Sequence, residues 1–188
     1  MPIEPAATLV GAAYLLSESV ISFRKRAAKH LAVSDKGSLR IIWLTGFVSI
    51  SLAYFIAGSR SFADVPALRN TPSIGVGVFC LGLALRWYSI SHLGRFFTVN
   101  VAIVENHRLI DTGPYTWVRH PSYTGWLVAI AGLGLCVGNW VSLAFLLVAT
   151  LSVIVWRIGI EERALRSAFG DAYASYEVKT WRLIPYIY

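Results

Sequence analysis

Apolar residues fall along this chain in five blocks. Residues 6–23, 41–58 and 73–90 each hold about 18 residues of mostly apolar character, close to the roughly 20 that cross a bilayer as a helix. A fourth block, 123–137, is shorter, and Gly138-Asn139 separates it from a fifth, 140–158. So short a break folds the last two blocks into an antiparallel helical hairpin. Between blocks three and four the pattern changes: Phe97, Val99, Val101 and Ile103 alternate with Thr98, Asn100 and Ala102, which predicts an extended segment. Glu105-Asn106-His107 reads as a turn. Beyond 158 the chain turns amphipathic and charged, with Gly170 as a helix stop. The pattern predicts an all-α integral membrane protein with five transmembrane helices. One membrane domain is expected over 1–188, with polar segments at 91–122 and 159–188.

Composition supports this. Of the 188 residues 56% are hydrophobic and 14% charged, against roughly 25% charged in a soluble domain. The net charge of +7 does not point to nucleic acid, because the basic residues flank apolar blocks and read as topology signals and lipid contacts. Of 17 Lys and Arg, six lie in 24–40, three in 91–122 and five from Arg157 onward; Arg60 and Arg69 alone lie on the other side, and Arg86 falls inside a block. That bias places the amino terminus outside and both polar segments in the cytosol. No basic residue precedes the first apolar block, so a signal peptide is not expected. Cys80 and Cys136 lie in apolar runs at no metal-binding spacing and read as packing residues.

The candidate chemistry is concentrated in two places. Arg119-His120-Pro121-Ser122-Tyr123, approached through Leu109-Ile110-Asp111-Thr112-Gly113-Pro114-Tyr115, sets cations, a phenol and two prolines between apolar runs. Proline fixes φ, and Pro121 suits an early position of the fourth helix. This predicts a stiff polar gate directing His120 and Tyr123 at a ligand. The second cluster is Arg157-Ile158-Gly159-Ile160-Glu161-Glu162. Arg157 and Glu161, four apart, share a helix face, either as an ion pair with a snorkelling anchor or as a receptor for two adjacent ligands. Both readings stay open on spacing alone. His92, His107 and His120 with Glu105 and Glu162 lack metal-site spacing, so no metal is expected. Arg86, beside Trp87 and Tyr88, reads as a snorkelling anchor, Glu18 as a helix contact, and the glycines at 75, 77 and 82 as close-packing positions.

Taken together, His107-Arg108-Leu109-Ile110, Gly113-Pro114-Tyr115, Arg119-His120-Pro121-Ser122-Tyr123-Thr124-Gly125-Trp126, Glu161-Glu162, Phe169-Gly170-Asp171-Ala172-Tyr173 and Thr180-Trp181-Arg182-Leu183-Ile184-Pro185 resemble the isoprenylcysteine carboxyl methyltransferase family, in a compact prokaryotic form. The resemblance covers about half of the chain. It implies a cytoplasmic-membrane enzyme that uses S-adenosylmethionine to methylate a lipophilic acceptor entering from the bilayer. The acceptor implied first is an isoprenylated cysteine carboxylate; a phenolic lipid, a phospholipid amine or a small thiol is the alternative. Carried onto this chain, cofactor contacts fall on Asn100 (where a glutamine is expected), His107, Arg108, Leu109, Ile110, Tyr115, His120, Pro121, Ser122, Tyr123 and Glu161. Arg157 is then the residue that positions the acceptor carboxylate. An NADPH-dependent membrane reductase and a small transporter are the rivals from other classes. A transporter predicts polar residues deep within the spans, whereas here they gather at one face.

Overall fold

The computed structural model describes residues 5–24, 37–59, 63–66, 72–99 and 108–188. They form α1 (Pro5–Arg24), α2 (Ser38–Gly58), α3 (Pro72–Leu93), α4 (Pro121–Val137), α5 (Trp140–Phe169) and α6 (Asp171–Lys179), with 3-10 turns at Gly94–Phe96 and Gly113–Thr116. Helices α1, α2, α3 and α5 are long and apolar enough to cross a membrane, and α4 is a shorter apolar helix beside them. The five apolar blocks are therefore five helices. Their outer faces carry exposed side chains such as Leu9, Phe23, Phe47, Phe55 and Val148, as expected where the solvent is lipid. Phe97 leaves the 3-10 turn in extended backbone, in line with the alternating pattern. The rest of that stretch, with Asn100 and the expected turn at 105–107, lies outside the described residues.

Two helices run past their apolar blocks. Helix α4 begins at Pro121, the early position expected of it, because proline has no N–H to leave unpaired in a first turn. Helix α5 does not stop at 158 but continues to Phe169. A charged segment such as 161–166 ends an apolar block but not a helix, since Glu, Arg, Ala and Leu are good helix formers. At 30 residues α5 is about 45 Å long, roughly half as long again as a hydrocarbon core, so its last turns stand beyond the apolar layer. The stop comes at Gly170, with φ of 49°.

Helices α3 and α4 meet along a seam of glycines. A Cβ on Gly82 would lie 2.2 Å from the Ala129 nitrogen, and one on Gly132 would lie 2.3 Å from the Phe79 nitrogen. Gly75 faces Gly132 and Gly82 faces Gly125, each pair carbonyl against Cα, so the two antiparallel backbones nearly touch. Gly77 has nothing within 4 Å, which corrects its expected packing role: it is two residues from Gly75 and so off the seam face.

The two ends of the bundle are closed differently. At one end the 63–66 segment clasps the α4–α5 turn: the Val65 amide donates to the Gly138 carbonyl and the Trp140 amide to the Ala63 carbonyl, both at 2.9 Å. Asn139 donates to Asp64 at 2.8 Å and caps α5 by accepting from the Ser142 amide. At the other end the carboxyl-terminal strap, running on from α6, lies along the α4 approach. The Arg119 amide donates to the Trp181 carbonyl at 2.7 Å and the His120 amide to the Arg182 carbonyl at 3.1 Å. Both chemistry-bearing clusters sit at this second end.

Candidate active site

Four donor side chains converge on Glu162. Its carboxylate, 1% exposed, accepts from Arg119 Nε at 3.1 Å, Arg182 Nη2 at 3.0 Å, Arg166 Nη2 at 3.2 Å and His120 Nε2 at 3.4 Å. These groups come from the gate, from α5 itself and from the strap, so one carboxylate gathers three segments. Arg166 also pairs with Glu177 of α6 at 2.6 Å. Arg119 Nη1 donates to the Glu177 carbonyl at 3.0 Å. The Tyr176 hydroxyl donates to the Tyr115 carbonyl at 2.7 Å, closing the 3-10 turn onto α6. Burial pushes the hydroxyls of Tyr115, Tyr173 and Tyr176 well above the ordinary tyrosine range, so they stay protonated.

Two cavities open beside this framework. The first, about 720 Å³ including its mouth, is lined by Arg108, Leu109, Ile110, Tyr115, Arg119 and Glu161 together with Phe96, Phe169, Tyr173 and Tyr176. The second, about 620 Å³, lies between α1, α2 and the α3–α4 seam, lined by apolar and aromatic side chains such as Leu15, Ile21, Ile42, Trp43 and Phe47, with Glu18, Arg86 and Tyr123 among them. Phe97, Thr98 and Arg157 line both. Arg157 is 2% exposed, and its guanidinium donates to the Ser38 hydroxyl and the Val99 carbonyl. A cation so placed on α5 stands in the wall between the two spaces.

The gate is distributed around that wall. Tyr123 lines the second cavity and donates its hydroxyl to Glu161 Oε2 at 2.9 Å. Its ring stacks on that of His120 at 5.7 Å. His120, Pro121 and Ser122 are buried and line neither cavity; they stand behind Tyr123, where proline and a hydrogen-bonded imidazole hold α4's first turn. Arg108, Leu109, Ile110, Tyr115 and Glu161 line the first cavity, whereas Asn100 and His107 lie outside the described residues. Among those described, no group of three or more His, Cys, Asp or Glu could hold a metal ion.

The chain is similar to known proteins over most of its length. The model of the isoprenylcysteine carboxyl methyltransferase family matches residues 75–167. The protein-S-isoprenylcysteine O-methyltransferase of Schizosaccharomyces pombe is 34% identical over 77% of this chain and 67% of its own. The chain belongs to the isoprenylcysteine carboxyl methyltransferase family. A family member from Arabidopsis thaliana, protein-S-isoprenylcysteine O-methyltransferase B, is 28% identical over 93% of this chain and 86% of its own. The solved structure of the eukaryotic intramembrane Ras methyltransferase ICMT superposes with a TM-score of 0.66 at 27% identity, covering 97% of this chain and 64% of that one. The protein is thus an integral membrane methyltransferase by family and by fold.

Within that family assignment, three residues were misread or missed in the sequence. Arg86 is no snorkelling anchor: it is buried and forms a two-bond fork with Glu18, at 2.6 and 2.8 Å. Glu18 does contact another helix, but as an ion partner. Arg119 and Glu162 were not singled out as site residues, although Arg119 lines the first cavity and Glu162 orders the gate. The sequence carried no excess of charge to reveal it, since four acidic and four basic residues follow Arg157; the convergence of Arg119, Arg166 and Arg182 on Glu162 needs the fold.

Proposed function

We propose that this chain transfers a methyl group from S-adenosylmethionine to the terminal carboxylate of an isoprenylated cysteine, at the cytosolic face of the membrane. The observation that carries the reading is Arg157 in the wall shared by two cavities, one with Arg108, Arg119 and Glu161 in its lining and one reaching among apolar and aromatic side chains of α1 and α2. The first cavity suits the donor. Its carboxylate, Glu161, can accept from ribose hydroxyls or an ammonium, Leu109, Ile110 and Phe169 offer apolar surface to a nucleoside, and Arg108 and Arg119 offer charge to a carboxylate. Asn100 and His107 are proposed to complete it. S-adenosylmethionine would supply an electrophilic methyl group there.

The second cavity suits a prenyl chain, whose tail would lie among Ile42, Trp43 and Phe47 while its polar end meets Arg157. A carboxylate is already ionised at neutral pH, so no general base is required and His120 is free to be structural. The work left to the protein is alignment and exclusion of water. A planar guanidinium suits alignment, because it can hold both carboxylate oxygens at once. His120, Pro121 and Ser122 serve the site by fixing Tyr123, and Tyr123 by fixing Glu161.

The test is methyl transfer by purified protein in lipid, from labelled S-adenosylmethionine to an N-acylated prenylcysteine, across pH 6 to 8. A nearly flat rate is expected, since a carboxylate with pKa near 4 is charged throughout. Arg157→Lys keeps the charge but loses the fork and should lower the maximal rate by about 10- to 100-fold. A rate climbing steeply with pH on this acceptor would mean that a titrating group limits transfer, against a carboxylate that Arg157 only positions. Binding of NADPH and not of S-adenosylmethionine would refute the donor.

A further inference from the structure

The acceptor cavity carries a charge pair that the proposed chemistry does not use. Glu18 of α1 and Arg86 of α3 are both buried at its wall. Arg86 donates from Nε and Nη2 to the two Glu18 oxygens and from Nη1 to the Ser122 carbonyl at 3.1 Å. Its guanidinium carbon stands 5.2 Å from the Trp126 ring centroid, and the Trp126 indole donates to the Tyr14 hydroxyl at 2.7 Å. Tyr14 and Glu18, one helical turn apart, thus bring α1 against the α3–α4 seam at two points. A charged pair here is costly to desolvate, and two well-packed apolar side chains would hold helices together as well or better. Packing alone is therefore a weak reason for it, and intramembrane charge marks function by default.

What the pair touches is specific. Ser122 lies in the first turn of α4, immediately before Tyr123, whose hydroxyl donates to Glu161. Arg86 reaches one residue short of Tyr123, which lines the acceptor cavity and is bonded to Glu161 of the other. We propose that the Glu18–Arg86 pair is a positioning device: Glu18 orients the guanidinium, Arg86 holds the first turn of α4 through the Ser122 carbonyl, and Tyr123 is thereby kept in register with Glu161. Arg86 is a positioning residue and not a catalytic one, since it acts through Tyr123. This inference rests on the methyl-transfer reading above.

The deciding variant is the double replacement Glu18→Met with Arg86→Met, which removes both charges and leaves none stranded. The expected result is a folded protein with unchanged melting temperature, S-adenosylmethionine bound several-fold more weakly, and turnover at saturating donor lowered by about 10- to 100-fold. In a Tyr123→Phe background the same double replacement should cause little additional loss, because both changes break one chain of contacts. Normal turnover in the double variant would overturn the proposal, as would a full, additive loss in the Tyr123→Phe background. Should the double variant fail to fold, Arg86→Lys answers the same question. One ammonium cannot reproduce the fork to Glu18 and the bond to Ser122 together, so turnover should fall while the cation remains; a Lys variant with normal turnover also overturns the proposal. Wild-type protein that binds S-adenosylmethionine but methylates no prenylcysteine would instead show that the underlying acceptor reading is wrong, and the inference would fall with it.

Discussion

Glu161 and Glu162 are adjacent in sequence and have opposite fates. The Glu161 side chain is 34% exposed and that of Glu162 1%, because a 100° step along α5 turns one to the cavity and the other to the gate and strap. Their replacements should therefore separate. Glu161→Gln replaces a charged acceptor by a neutral one and should weaken S-adenosylmethionine by about 10- to 150-fold, the equivalent of roughly 1.5–3 kcal/mol for a charge-assisted bond. Partial exposure favours the lower end. Calorimetry showing unchanged affinity would remove Glu161 from the cofactor site. Glu162→Gln leaves Arg119 and Arg182 facing each other without their shared counter-charge, while Arg166 keeps only Glu177. Loss of one partner from a buried ionic cluster costs about 3–5 kcal/mol, so the melting temperature should drop and the 180–188 strap should become sensitive to protease. An unchanged melting temperature would mean that the arginines find other partners.

At the scale of the helices, the α3–α4 seam depends on the absence of side chains. Gly132→Val would place atoms within 2.3 to 2.7 Å of the Phe79 backbone and the Gly75 carbonyl. Backbone cannot rotate aside as a side chain can, so the helices must part, at about 1–3 kcal/mol or more. Gly77→Ala, on α3 but off the seam with open space around it, should leave stability unchanged. Thermal unfolding of the two variants checks this, and equal melting temperatures would mean that the seam is not tight. The parting in Gly132→Val should also move the first turn of α4, so methyl transfer should fall together with stability. The same packing explains α4's length. A helix of 17 residues is about 26 Å long, and pairing with the longer α3 leaves little of it to lipid: most of its residues are buried or half-buried.

For the whole molecule, the clasp at 63–66 and the strap at 180–183 lie at opposite ends of the bundle. We propose, from the 14-to-2 distribution of Lys and Arg, that the strap end faces the cytosol and the amino terminus the outside. A fluorescent reporter fused after Tyr188 should fold and shine, and one that is active only outside the cytosol should stay silent there; the reverse would invert the assignment. The number, order and approximate limits of the spans were legible in the sequence, because burial in lipid is a property of each block by itself and each must satisfy its own backbone. The residues proposed for the site, Arg157, Tyr123 and Glu161, drew notice for a similar reason: they stand out against an apolar background. What the pattern could not show is which charges meet. Arg86 looked like an anchor because its partner, Glu18, is 68 positions away, and Glu162 looked ordinary because its arginines come from three segments. Distant pairing depends on how helices are rotated and offset against one another, and the glycine seam, the α4–α5 turn and the strap decide that together. The sequence by itself determined a five-helix membrane protein with its chemistry at one end; the tertiary structure alone decided that Arg157 would stand between two cavities.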